Sequence, residues 1–170
     1  MFAKIGFTKI RTTARRGTYI SALVIAGLAL AACGSSATSS TATATTGTGA
    51  AAVVMTKSGP SGTYLTDGSG KTLYLFVPDG STGKSVCTGT CAKYWPPLVT
   101  TGAPTAGAGA TASMLSTFKR ADGNTQVVYD GHPLYYYVSD KAAGDTTGQG
   151  LNQSGGLWWL VSPAGAAITG

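Results

Sequence analysis

The residues able to do chemistry in this 170-residue chain are few: three cysteines, one histidine, six aspartates and no glutamate. Cys87 and Cys91 stand in CTGTC, and His132 follows a DG turn in the stretch GHP. Two chemistries suit that set. The thiols can close a disulfide, because Thr88, Gly89 and Thr90 can turn tightly enough to bring the two Cα atoms to about 5.5 Å. Alternatively, Cys87, Cys91 and His132 can hold copper, for which thiolate and imidazole are suitable ligands. Other familiar sets are missing. The CxxCH haem signature and GxSxG do not occur, and the residues around Asp140 and Asp145 lack the EF-hand spacing with its terminal Glu. All the aspartates read as turn formers, which leaves no pair to assign to glycoside chemistry. Catalysis is not expected.

The third cysteine, Cys33, has a different setting. Lys4, Lys9, Arg11, Arg15 and Arg16 form a positive region, and Thr18 to Leu30 form an apolar run of thirteen residues. That run is short for a bilayer-spanning helix, which needs about 20 residues, and small residues follow it, as in a secretory signal. Leu30, Ala31, Ala32 and Cys33 spell LAAC, which resembles the lipobox of bacterial lipoproteins. The resemblance implies a diacylglycerol on the Cys33 thiol, removal of residues 1–32, and Cys33 as the new N-terminus. Two acyl chains suffice for stable anchoring where one does not, at about 0.8 kcal/mol per buried methylene. Arg15 and Arg16 fit a twin-arginine signal poorly, given the GTYI after them.

Loss of the signal changes the charge. From Cys33 onward, seven Lys and Arg face six Asp, a net charge of +1, and the cations are scattered apart from Lys119 and Arg120. A nucleic-acid partner is not indicated, since that requires a clustered basic face. Residues 34–50 are only Gly, Ser, Thr and Ala and cannot bury enough apolar surface to offset ordering entropy. With Cys33 they read as a disordered tether over 33–50, reaching about 20–25 Å as a coil. The remaining 51–170 suit one small domain, interrupted by the low-complexity stretch from Thr100 to Ala112, which is expected to form a surface loop.

That domain repeats itself. LYLFVPD, Leu73 to Asp79, aligns without gaps with LYYYVSD, Leu134 to Asp140, and a Trp follows each copy, Trp95 and Trp158. Internal duplication follows, with repeat 1 at about 53–99 and repeat 2 at about 114–165. Both copies read as strands. Tyr74 and Phe76 fall on one face, with Leu73, Leu75 and Val77 on the other; Tyr135 and Tyr137 likewise oppose Leu134, Tyr136 and Val138. Further strands are expected near 51–56, 62–66, 114–120, 125–129 and 157–162, with ADGN at 121–124 as a hairpin turn. The fold class is therefore all-β: two pseudo-repeated antiparallel units in one small domain.

The two Tyr-x-aromatic-x-x-Asp stretches (Tyr74, Phe76, Asp79 and Tyr135, Tyr137, Asp140), with CTGTCAKYWPP, GHPLYYY and GLWWLVSPAG, resemble the bacterial secreted-repeat lipoproteins. The resemblance spans about 53–165. It implies an extracytoplasmic protein with paired repeats and no established activity. Outside the cytoplasm, with Cys33 acylated, a Cys87–Cys91 disulfide is the expected state. The copper alternative has the CxxxC spacing of copper-delivery thioredoxin-like proteins but lacks their following Pro, Ala92 standing in its place, and their βαβ pattern. Trp95, Trp158 and Trp159 can form a binding surface for an envelope glycan or protein or can supply the core of a domain poor in Leu and Ile. The expected function is a non-enzymatic binding or structural lipoprotein of the bacterial envelope. It would be held to the membrane by its acyl chains and would carry no cofactor; the alternative is a copper or electron-transfer protein.

Overall fold

The computed structural model describes residues 50–170. The signal, Cys33 and the tether as far as residue 49 lie outside the described residues. Two hairpins open the two halves. In the first, β1 (Val53–Gly59) pairs antiparallel with β2 (Gly62–Asp67), from Val54 opposite Asp67 to Gly59 opposite Gly62. The first motif copy follows as the short strand β3 (Tyr74–Phe76), and then the helix α1 (Thr90–Tyr94). A two-residue strand, β4 (Thr105–Ala106), adds in parallel to β1.

In the second half, β5 (Leu115–Lys119) and β6 (Thr125–Tyr129) form the hairpin around ADGN, where Asp122 accepts the Asn124 N–H at 2.9 Å. β7 (His132–Pro133) pairs with β6, and β8 (Asn152–Gln153) pairs with β9 (Gly156–Leu160), which also pairs with β3. Among the described residues the result is three small sheets, ordered β2-β1-β4, β3-β9-β8 and β5-β6-β7. The all-β expectation holds, with two departures.

The first departure concerns Thr100 to Ala112, expected as a surface loop. It is a strap: β4 lies in it, and Gly107 donates its N–H to Val54 O at 2.7 Å. Gly109 sits at φ +78 so close to Thr56 that a Cβ would fall 2.0 Å from its Oγ1. Small residues serve close approach here as much as flexibility.

The second departure concerns the second motif copy. It is extended but not a continuous strand, because its backbone changes partner at each step. Leu134 N–H bonds Val127 O, Tyr135 N–H bonds Tyr74 O, and Tyr136 N–H bonds Pro96 O.

Those partners show how the halves fit. Tyr74 and Tyr135 exchange both backbone hydrogen bonds, at 2.8 and 3.0 Å. Around that pair the remaining bonds recur in matched positions. Leu73 N–H bonds Leu65 O as Leu134 N–H bonds Val127 O, both at 3.0 Å, and Leu65 N–H bonds Val161 O as Val127 N–H bonds Leu98 O, both at 2.8 Å. Tyr74 stands opposite Leu160, and Tyr135 opposite Pro97. Each motif segment therefore pairs with the tryptophan segment of the other repeat, and the halves interlock as a pseudo-two-fold pair.

The alternation read from the sequence sorts the core into two clusters. Leu73, Leu75 and Leu134 join Val54, Leu65, Val127 and Val161 in an aliphatic cluster, with Tyr136 packed against it. Tyr74, Phe76 and Tyr135 join Trp95, Trp158 and Cys87 in an aromatic one, with Tyr137 at its margin. Val77 and Val138, at the ends of the two copies, are exposed.

Candidate functional site

The aromatic cluster is a column of four stacked rings. Trp95 and Trp158 lie 3.9 Å apart and 2° from parallel, Phe76 stacks on Trp158 at 4.2 Å, and Tyr137 stacks on Trp95 at 4.2 Å. Tyr74 meets Trp95 edge-on at 5.4 Å, and Tyr135 meets Trp158 edge-on at 5.2 Å. Each half thus contributes one ring of each kind. Of the two readings of the tryptophans, binding surface or core, Trp95 and Trp158 take the core one. Trp95 and Trp158 are wholly buried, and Trp159 is half-buried against the aliphatic cluster. With so few large aliphatics available, these rings are the core. Gly148 permits the closure, since a Cβ there would fall 2.8 Å from the Trp95 ring and 2.9 Å from that of Tyr74.

The motif aspartates complete the exchange. Tyr74 OH donates to Asp140 Oδ2 at 2.7 Å, and Tyr135 OH donates to Asp79 Oδ2 at 2.5 Å. The tyrosine of each copy is therefore tied to the aspartate of the other. Both aspartates also cap turns, as expected of strand-end carboxylates. Asp79 accepts the Val86 N–H at 2.7 Å, and Asp140 accepts the Thr147 N–H at 2.9 Å and its hydroxyl at 2.6 Å. A third pair, Tyr136 OH to Asp67 Oδ2 at 2.9 Å, ties the second copy to the first hairpin. Burial above all, and then the partner carboxylate, holds the hydroxyls of Tyr74, Tyr135 and Tyr136 above the usual phenol range, so they remain donors.

The two ends differ in what surrounds them. Asp79 is buried, and burial pushes its carboxyl above the usual carboxylate range. The Tyr135 hydroxyl, the Val86 N–H, Arg120 and His132 oppose that rise. Tyr135 OH also lies 2.5 Å from Ser85 Oγ, which in turn accepts the Cys87 N–H at 3.1 Å. Cys87 and Cys91 are joined, with Cα atoms 5.3 Å apart. The sequence expectation of a disulfide is met, and the bond pins the segment that carries Ser85 and Val86.

Arg120 is the residue that sequence reasoning missed. It stands at the end of the β5–β6 hairpin with its side chain 4% exposed. It donates from Nη1 to Gln126 Oε1, from Nη2 to Cys87 O at 2.7 Å, and from Nε to Asp122 Oδ2 at 3.2 Å. Gln126, also fully buried, passes the link on to Leu134 O at 2.9 Å. In the sequence Arg120 looks like half of a surface pair with Lys119. Nothing in its neighbours signals that it spans two repeats.

Between the disulfide segment and the β5–β6 turn lies a cleft of about 610 Å³. Ala92 and Phe118 line it together with Ser85 and Arg120, and Lys84 and Lys119 are exposed along it. Asp122 is the one acidic lining residue, and it is already paired with Arg120. The cleft is of small-molecule size, apolar with convergent polar groups, and carries a cationic excess.

The copper set is not assembled. Two of its ligands are spent in the disulfide, and among the described residues no three His, Cys, Asp or Glu side chains come together as a metal site. His132, half-buried in β7, keeps a buried Nδ1 with no partner among the described residues. Asp145 accepts the N–H groups of Lys141 and Ala142 at 2.8 Å, a turn role. Those bonds hold its carboxyl below the usual range, the Ala142 N–H contributing most.

A family model described as "Secreted repeat of unknown function" matches residues 55–99 and 116–162, together more than half of the chain. The two matches contain the two hairpins, the two motif copies and the two tryptophan segments described above. No curated protein and no solved structure matches the chain.

Proposed function

The chain belongs to the secreted-repeat family, and on that premise we propose that it is a lipid-anchored binding protein of the bacterial envelope, without catalytic activity, displayed outside the cytoplasm from Cys33. The observation that carries the binding role is the cationic cleft beside the disulfide. It is lined by residues 84–92 of repeat 1 and 118–122 of repeat 2 and held by buried polar contacts.

The anchor rests on LAAC behind a positive and apolar leader, and among the described residues no helix is long and apolar enough to cross a membrane. Detergent phase separation with mass spectrometry of the N-terminal peptide tests it. The protein is expected in the detergent phase with acyl mass on Cys33, and Cys33→Ala is expected in the aqueous phase; an unacylated wild-type N-terminus would overturn the anchor. The binding role is tested by amide exchange in the presence of small molecules extracted from the envelope. Protection is expected at 84–92 and 118–122, and an unchanged exchange pattern there would overturn it. A copper role would first require the Cys87–Cys91 bond to open, and this geometry gives it no support.

A further inference from the structure

The chemistry of the cleft narrows what it can hold. Arg120 has five N–H donors, of which three meet protein acceptors. The two left over, one on each terminal nitrogen, have no acceptor among the described residues. The guanidinium itself is nine-tenths buried and cannot turn to bulk water. A guanidinium with donors to spare at the wall of the cleft favours an anionic head over a neutral one. Beside it, Phe118 and Ala92 offer apolar surface, and Lys84 and Lys119 add positive charge at the margin. A small, multiply charged and fully hydrated anion would lose its water against Phe118 and Ala92 with too few donors to replace it. A neutral apolar molecule would leave the Arg120 donors unanswered.

We propose that the cleft binds an organic carboxylate, a molecule with one anionic head for Arg120 and an apolar ring or chain for Phe118 and Ala92. This inference rests on the binding role proposed above and names its ligand class. The volume of about 610 Å³ accommodates a body of one or two rings. The disulfide closes the segment that forms one wall, and the β5–β6 turn forms the other. The site therefore exists only where repeat 1 meets repeat 2.

The test is equilibrium dialysis of the whole chain in phospholipid nanodiscs, with empty nanodiscs as blank and 2-naphthoate as probe. Saturable one-to-one binding is expected. The neutral alcohol with the same ring, 2-naphthalenemethanol, is expected to bind at least about tenfold more weakly, and inorganic phosphate is expected not to compete. Phe118→Ala is expected to weaken naphthoate about tenfold, and Lys84→Gln and Lys119→Gln about threefold each. Arg120→Gln is expected to lose binding altogether. The exposed Lys84 and Lys119 variants keep the test decisive if that buried change unfolds the protein. Equal affinity for acid and alcohol, or wild-type affinity in the Phe118 and both Lys variants, would overturn the ligand class. If naphthoate fails to bind while envelope extracts still protect 84–92 and 118–122, the ligand class falls alone; if neither acts there, the binding role falls with it.

Discussion

The Tyr135–Asp79 and Tyr74–Asp140 ends of the molecule are built from the same seven-residue motif, yet they differ in environment. At the first, the carboxylate is buried and its tyrosine leads through Ser85 to the disulfide segment, to Arg120 and to the cleft. At the second, the carboxylate is half-buried and caps a turn at Thr147, and Gly148 closes over the rings. The scaffold residues are shared by the two repeats, and the difference lies in the segments between each motif and its tryptophan. Residues 80–94 carry the cysteine pair, whereas 141–157 carry Gln149 and Gln153, which serve the backbone of Leu160 and the Trp95 indole. The core is shared by the two repeats, and the segment between motif and tryptophan in repeat 1, together with the β5–β6 turn, makes one end of it a candidate site.

The shared core is where a break should cost most. Trp158→Ala removes a ring stacked on both sides and is expected to lose about 3–5 kcal/mol of unfolding free energy by denaturant titration. Trp95→Ala should cost a similar amount, because the two occupy equivalent places in the column. Trp159→Ala, half-buried outside the column, should cost clearly less; equal losses at all three would mean that the stack is not the core.

The disulfide sharpens the comparison, since it belongs to one end only. Its loop is short, so the chain-entropy contribution is about 2 kcal/mol. The double replacement Cys87→Ala, Cys91→Ala is expected to cost that much, with faster amide exchange confined to the Asp79 end. Faster exchange spread equally over 141–157 would contradict it.

A smaller effect separates the ends by pH. The folded protein binds the Asp79 proton more tightly than the unfolded chain does. The stability this carboxyl contributes is therefore fully present below the ordinary carboxylate pKa and is lost as pH rises through its raised value. Asp79→Asn removes that loss while keeping an acceptor for Val86. Denaturation midpoints at a series of pH values should show the variant gaining on wild type as pH rises from the carboxylate range toward neutrality. The exposed Asp122 and the half-buried Asp145, whose depressed carboxyls act in the opposite sense, are common to both proteins and cancel. A difference independent of pH would show that Asp79 is not desolvated.

Local signals carried most of the fold. Alternation in LYLFVPD and LYYYVSD assigned Tyr74, Phe76, Tyr135 and Tyr137 to one cluster and the leucines to the other, because a two-residue period survives even where pairing is irregular. ADGN located the second hairpin. Similarity between the two seven-residue copies revealed two halves but not their exchange, since sequence similarity carries no information on which copy pairs with which. The motif aspartates were legible as turn caps, while their tyrosine partners lie 56 and 66 residues away in the chain. Arg120 was invisible for the same reason: its partners Cys87 and Gln126 come from different repeats. Trp95 and Trp158 were readable either as surface or as core, and only the packing decides.

The asymmetry of the two ends is tested most directly by removing one hydroxyl at each. Tyr135→Phe leaves buried Asp79 with the Val86 N–H alone and is expected to cost about 1–3 kcal/mol. Tyr74→Phe leaves Asp140 both bonds from Thr147, at the loss of a 3.2 Å acceptor for Gly148, and is expected to cost about 0.5–1.5 kcal/mol. Amide exchange at 84–92 should quicken in the first variant and stay unchanged in the second. Equal losses of stability, or quickened exchange at 84–92 from Tyr74→Phe, would contradict the assignment of the cleft to the Asp79 end.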